Sequence, residues 1–354
     1  MAKINLKEFS SQENLYLVPP YIKDPVRLID VWKAQGLEGH VFICSSGTTS
    51  QEKLKTYALS KKSILENAKA VNEFLGATKD DIWLSSLPPY HIGGLSIYAR
   101  SFLLGNEPIE LKKKWSAEDC LVKASYFSVV PLQLYEMVQK KIKAPHWHKG
   151  VFVGGDFLAD HLRNQALELG WKVIVTYGMT EFCSQIASEF VDENFDGLMR
   201  VLPIHKVEGE AIESKSLFTS CILIGSDSFD VFPSKQPFIP NDKFEYDKNR
   251  NSIRPLGRSD DSFKHKGRLF NKFEVLNIVQ EILIGLNLLD SAQLILEEDP
   301  NYGRIPVVLI TKENLKSELE GKLLTSKLLK TLRFDVRVVK ELRKTAVGKI
   351  PNFC

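Results

Sequence analysis

The sequence predicts an α/β protein in two parts, a large N-terminal α/β domain over residues 1–257 and a small C-terminal α+β domain over residues 258–354. Three observations predict it. Between residues 41 and 176, short apolar runs alternate with stretches whose apolar residues recur at helical spacing. The helical periodicity fades between Ile204 and Ile253, where β-like runs such as Ser220-Cys221-Ile222-Leu223-Ile224 take over. A second series of helices and strands begins beyond Gly257-Arg258. With 354 residues and 44% hydrophobic content, the chain can bury a large core in each part.

Taken in order, the leader carries Pro19-Pro20 and Pro25 and then an amphipathic run, 26–32, that reads as a helix ending near Gly36. Residues 41–44 read as a strand. Residues 60–75 read as a helix, because Ile64, Leu65, Ala68, Val71, Phe74 and Leu75 fall on one face and Ser63-Ile64-Leu65-Glu66 has the form of a capping box. A turn at Asp80-Asp81 leads into a strand ending at Pro88-Pro89. Then follow a strand over 126–130, a helix from Pro131 through Leu132, Tyr135 and Val138, a strand over 151–153, a helix over 157–169 stopped by Gly170, and a strand over 171–176. In the C-terminal part, helices are expected over 272–284 and 315–332, and strands over 292–296, 307–311 and 334–339.

Composition narrows the function classes. A net charge of +3 is too small to demand nucleic acid but tolerates anionic small molecules. Residues 1–8 lack a hydrophobic signal region and no apolar run reaches membrane-spanning length, so a cytoplasmic protein without a membrane span is expected. The five cysteines (Cys44, Cys120, Cys183, Cys221, Cys354) are odd in number and form no Cys-x-x-Cys pair, which argues against zinc and against a disulfide framework. Basic runs at Lys112-Lys113-Lys114 and Lys140-Lys141 read as solvated faces.

The chemistry is concentrated in loops. Ser45-Ser46-Gly47-Thr48-Thr49-Ser50-Gln51-Glu52-Lys53 follows a strand and brings hydroxyls, a glycine and a lysine together, as a loop wrapping polyphosphate requires; taken alone it also fits a polar surface turn. Gly47 and Lys53 have the separation of a Walker loop, but Glu52 replaces its second glycine and Leu54 its magnesium-binding hydroxyl. Two further loops follow strand candidates, Gly154-Gly155-Asp156 and Tyr177-Gly178-Met179-Thr180-Glu181, and ligands of parallel sheets gather at such carboxyl ends.

Together with Tyr90-His91, Gly209-Glu210, Asp242, Gly257-Arg258-Ser259-Asp260-Asp261, the segment 264–267 and Gly348-Lys349-Ile350, these loops resemble, in order and spacing, the acyl-adenylate-forming (AMP-binding) superfamily of acyl-CoA synthetases, peptide-synthetase adenylation domains and luciferases. The resemblance covers residues 42–350. It implies a large adenylate-forming α/β domain with a mobile C-terminal lid, and a two-step reaction that uses ATP, Mg²⁺ and coenzyme A. In the first step a carboxylate attacks the ATP α-phosphate to give acyl-AMP; in the second a thiol displaces AMP. By the same resemblance Thr48, Thr49 and Lys53 would hold the β- and γ-phosphates, Tyr177 would face the adenine with Gly154 and Gly155 allowing close backbone approach, and Ser45, Ser46, Gly47, Gly178 and Met179 would also line the nucleotide site. Thr180 would bond the α-phosphate, Glu181 the magnesium ion, and Asp242 and Arg258 the ribose. Lys349 would bridge the carboxylate and the α-phosphate. Asp260 is the implied hinge, after which the turn at 264–267 would face the pantetheine thiol.

The segment Leu87-Pro88-Pro89-Tyr90-His91-Ile92-Gly93-Gly94-Leu95-Ser96 is most similar to that of 2-succinylbenzoate:CoA ligases of menaquinone biosynthesis. It implies that His91 is catalytic and that His91, Gly93 and Gly155 border the acyl pocket. Arg100, nine residues beyond His91, is expected either to anchor the non-reacting carboxylate or to lie on a helix surface. Ser50 and Glu52 depart from the family's phosphate loop and predict weaker ATP binding, and the region before that loop is short. Other readings are adenylation of another carboxylic acid for CoA or for a carrier-protein thiol, and a non-catalytic nucleotide-binding protein that keeps the fold. A homo-oligomer is compatible with the sequence.

Overall fold

The computed structural model describes residues 4–45, 53–111, 115–156, 158–258 and 262–342. Among these residues the largest sheet has nine strands in the order Asp242–Asp247, Ser252–Arg258, Met199–Val201, Ser184–Phe190, Val173–Met179, Gly150–Val153, Tyr126–Val129, Trp83–Ser85 and Ile109–Glu110. The last five run parallel and the others antiparallel. The switch occurs where Val173–Met179 returns directly through the tight turn Thr180–Phe182, with no crossover helix to keep the next strand parallel.

Strand alternation decides which helix covers which face. Trp83, Tyr126, Phe152 and Ile174 point to one side and pack with Ala70, Val71 and Ile97 from the helices Lys61–Leu75 and Ile92–Leu104. Their neighbours Leu84, Phe127, Val151 and Val173 point to the other side, against Leu134, Val138, Leu162 and Ala166 of the helices Pro131–Gln139 and Asp160–Glu168. Both faces are therefore dry, which explains why the strands read as continuous apolar runs.

Several expectations need correction. The helix Lys61–Leu75 is capped by Ser60, whose Oγ accepts from Ser63 N at 3.0 Å, and not by a box beginning at Ser63. The helix Ile92–Leu104 is not among the elements the sequence predicts, and it has no amphipathic pattern because Gly94, Leu95, Ser96, Ile97, Tyr98, Ala99, Arg100 and Ser101 are all buried. The loop proposed at 177–181 is mostly strand, since Tyr177 to Met179 complete Val173–Met179. Likewise Lys264 and His265 end the strand Ser262–His265, and the turn itself is Lys266 and Gly267, both left-handed, before Arg268–Asn271.

A second sheet orders Leu15–Leu17, His40–Cys44, Leu54–Ser60, Ser220–Ile224 and Phe229–Pro233. Its middle strand, Leu54–Ser60, begins directly after the phosphate-loop segment. Residues 262–338 form a third sheet of Ser262–His265, Arg268–Asn271, Ala292–Asp299, Gly303–Ile310 and Asp335–Val338, with a core of its own that includes Val275, Val279, Leu294, Val308 and Leu319. The helix expected over 315–332 is shorter, Lys316–Leu323. Thr325 ends it: its backbone N and its Oγ1 both donate to Lys322 O, at 3.0 and 2.7 Å, and only the single turn Leu329–Thr331 follows.

Candidate active site at the carboxyl ends of the central strands

Gly154 and Gly155 follow directly on Gly150–Val153, beside the end of Val173–Met179. A Cβ at Gly154 would come within 2.4 Å of Thr176 Oγ1, and Gly155 has φ +78°, so both positions are closed to larger residues. On the adjacent strand a Cβ at Gly178 would sit 1.9 Å from the Ser184 carbonyl oxygen. That contact lets the chain fold back tightly on itself, and Thr180 and Glu181 lie in the turn. The turn is held from outside. Asn67 Nδ2, on the helix Lys61–Leu75, donates to the carbonyls of Phe182 and Gln185 at 3.1 and 2.7 Å, and Phe218 N donates to Glu181 O at 2.8 Å. Cys183 and Ser184 complete it in left-handed conformations, φ 55° and 133°, which side-chain-bearing residues adopt only under constraint.

Two distant segments complete one edge. Asp242 and Arg258 stand directly opposite each other across the antiparallel pair Asp242–Asp247 and Ser252–Arg258, although sixteen residues separate them in sequence. Tyr177 Oη donates to Asp242 Oδ2 at 3.0 Å, and burial together with that carboxylate pushes the phenol pKa up. The pair fixes an aromatic face and a carboxylate in one place.

At Glu181, Oε1 accepts from Lys55 Nζ at 3.3 Å and from Tyr57 Oη in a short bond. Neither Lys55 nor Tyr57 was anticipated. The available signal was their spacing of two within a strand, which sets both on one face. Lys53 Nζ pairs with Asp230 Oδ2 at 2.8 Å, both side chains being about half exposed, 45% and 49%. Ser45 N donates to Lys55 O at 3.0 Å. The expectations for Ser46, Gly47, Thr48, Thr49, Asp260 and Lys349 lie outside the described residues, and for Arg258 only the backbone is described.

Of the acyl-pocket candidates, Gly155 follows the strand Gly150–Val153, while Gly93 and Arg100 sit on the helix Ile92–Leu104 and His91 at its start. His91 occupies its N-cap position without a side-chain capping bond. Its ring lies 4.8 Å from that of Tyr90, Nε2 has no hydrogen-bond partner among the described residues, and burial pushes its pKa down to about 4. It is therefore a neutral imidazole near pH 7, able to orient a ligand but not to supply a proton as an imidazolium. Gly93 packs against Leu87, whose Cδ1 would lie 3.2 Å from an added Cβ.

Arg100 is not on the surface. Its side chain is 1% exposed, with the guanidinium 4.8 Å from the Trp83 ring and 5.4 Å from Phe152, which is two residues before Gly154 on the same strand face. Among the described residues Nε and Nη1 have no hydrogen-bond partner and no carboxylate pairs with the group, and burial lowers its pKa to about 9.

Comparison with known proteins now adds to this geometry. Residues 36–204 match the family described as AMP-binding enzyme. The 2-succinylbenzoate–CoA ligase of Staphylococcus epidermidis is 32% identical over 160 residues, covering 43% of this chain and 33% of that one. The Enterococcus faecalis enzyme of the same name is 34% identical over 153 residues, covering 41% and 30%. The matched segment thus spans about a third of the length of these relatives. Among solved structures, the o-succinylbenzoate CoA synthetase of Bacillus subtilis in complex with its acyl-adenylate intermediate superposes with a TM-score of 0.69 at 21% identity, covering 88% of this chain and 67% of that one. ATP-bound MatB of Rhodopseudomonas palustris gives 0.67 at 18%, covering 88% and 66%. These matches bear out the resemblance read from the motifs: residues 36–204 carry the AMP-binding enzyme pattern, and 88% of the chain superposes on the fold of the o-succinylbenzoate CoA synthetase.

Proposed function

We propose that the protein is an AMP-forming acid–thiol ligase whose substrate is 2-succinylbenzoate, activated with ATP and transferred to coenzyme A in menaquinone biosynthesis. The observation that carries this reading is convergence. Gly154-Gly155 and Thr180-Glu181 follow the carboxyl ends of two adjacent strands, Gly150–Val153 and Val173–Met179, and Tyr177 on the second of these binds Asp242 from 65 positions further along the chain.

In this reading Tyr177 gives adenine an aromatic face, while its hydroxyl orients Asp242 to accept from both ribose hydroxyls. The backbone at Gly154 and Gly155 admits the base closely. The Thr180 hydroxyl donates to an α-phosphate oxygen as the substrate carboxylate attacks phosphorus, and Lys349 brings a cation to the charge that develops there. Lys53, released from its exposed contact with Asp230, meets the departing pyrophosphate.

Glu181 fits a magnesium site of the kind completed by substrate phosphates. Among the described residues no group of three or more His, Cys, Asp or Glu side chains could enclose a metal, whereas magnesium is commonly held by one or two carboxylates and phosphate oxygens. A divalent ion bound there would neutralise negative charge on the phosphates. After adenylation, the part beginning near Arg258 would turn about Asp260 and present the turn at Lys266 and Gly267 to the thiol.

Arg100 is assigned to the second carboxylate of the substrate. A buried guanidinium with unmet donors is costly to maintain and is relieved by an anion. Among the described residues no helix is long and apolar enough to cross a membrane, and we place the reaction in the cytoplasm. The test is a panel of carboxylic acids with ATP, Mg²⁺ and CoA, followed by mass spectrometry. Formation of 2-succinylbenzoyl-CoA and AMP is expected; nucleotide binding without acid-dependent pyrophosphate release from any acid would overturn the reading.

A further inference from the structure

Lys55 and Tyr57 lie on the middle strand of their sheet, laddered to His40–Cys44 on one side and Ser220–Ile224 on the other, so their backbone cannot shift independently. Tyr57 is 1% exposed, and its ring meets Phe218 edge-on with centroids 5.3 Å apart. Lys55 Nζ lies 5.1 Å from the Tyr57 ring centroid and reaches Glu181 with a side chain 33% exposed, against 18% for the glutamate. Both donors end on Oε1 of Glu181, and neither takes Oε2.

A carboxylate held in this way differs from one waiting in solvent. Its rotamer is fixed from one side, one oxygen stays available, and an ammonium offsets its charge. Without that ammonium, Glu181 would repel a triphosphate until a divalent ion arrived. With it, the repulsion is largely cancelled, and the ion must bind beside a positive charge. We infer that Lys55 is a positioning residue for Glu181 and serves as a built-in counter-cation, so that nucleotide binding depends less on divalent metal than an isolated glutamate would require; Tyr57 supplies the fixed anchor.

This inference rests on the assignment of Glu181 to the nucleotide site, and the test separates the two. Isothermal titration with α,β-methylene-ATP, which cannot be cleaved between the α- and β-phosphates, is run in EDTA and in Mg²⁺. For each protein the ratio of the two Kd values is taken. Lys55→Met is expected to raise the ratio by about five- to tenfold, through weaker binding in EDTA and tighter uptake of metal. Lys55→Arg keeps the wild-type ratio within about twofold, and Tyr57→Phe raises it by about threefold. Direct Mn²⁺ titration of the nucleotide-bound Lys55→Met protein should show tighter metal binding than wild type. An unchanged or lowered ratio in Lys55→Met, with binding in Mg²⁺ intact, overturns the counter-cation while leaving the site assignment standing. No binding by wild type in either buffer overturns both. If Lys55→Met fails to fold, Lys55→Gln gives the same reading.

Discussion

Glu181 and Arg100 are two charged side chains that the structure treats in opposite ways. The carboxylate is already served, by an ammonium and a phenol on the same oxygen. The guanidinium is sandwiched against Trp83 and Phe152 with Nε and Nη1 unserved. A buried charge whose partners are supplied by the protein contributes to a resting state, whereas one left without them is stabilised when a ligand brings the missing charge. Under the proposed assignments, the nucleotide side would be prepared in advance and the acid side completed by the substrate.

The sharpest way to test the contrast is to remove a cation that neither side holds. Lys349→Ala should depress acyl-AMP formation by about a thousandfold while leaving CoA transfer from supplied acyl-AMP largely intact. Parallel loss in both half-reactions, followed by quenched-flow assay, would show that the lysine does not belong to the first step. Next comes Arg100→Met. It should lower kcat/KM for 2-succinylbenzoate by about a hundredfold and spare a monocarboxylate analogue. The same variant should keep its folding stability or gain about 1–2 kcal/mol, because an unpaired buried charge is replaced by an apolar chain of similar length. Equal kinetic losses on both acids, or a marked drop in denaturation midpoint, would place Arg100 among supporting residues.

The smallest effect concerns another buried group without partners. His148 packs against Phe127 and Trp171, both ring nitrogens lack a partner among the described residues, and burial, with Lys172 adding to it, pushes its pKa down to about 4. As pH falls below the ordinary histidine value near 6.5, the unfolded chain takes up the proton first. Stability therefore declines from about pH 6.5 toward pH 4. His148→Phe should remove about 1–2 kcal/mol of that decline between pH 7 and 5, read from urea midpoints. An unchanged slope would mean that the cost is carried by other groups such as His91 and His205, whose pKa values burial also lowers to about 4.

Much of the fold was legible because both faces of the parallel strands are dry, and strands such as Gly150–Val153 leave a plain apolar mark in the sequence. The helix Ile92–Leu104 left no such mark, since burial on nearly every side removes the polar stripe that periodicity detects. At the site, the glycines and the Thr180-Glu181 turn were readable as local chemistry. The meeting of Asp242 with Arg258 was readable only as order along the chain, because register depends on how a hairpin pairs. Lys55 and Tyr57 reach Glu181 across 126 and 124 positions, and a contact of that separation depends on how two sheets pack, which no local pattern encodes.

Gly178 carries a consequence for how this protein can change. Since any side chain there would meet the Ser184 carbonyl at 1.9 Å, the position is a fixed point in sequence space.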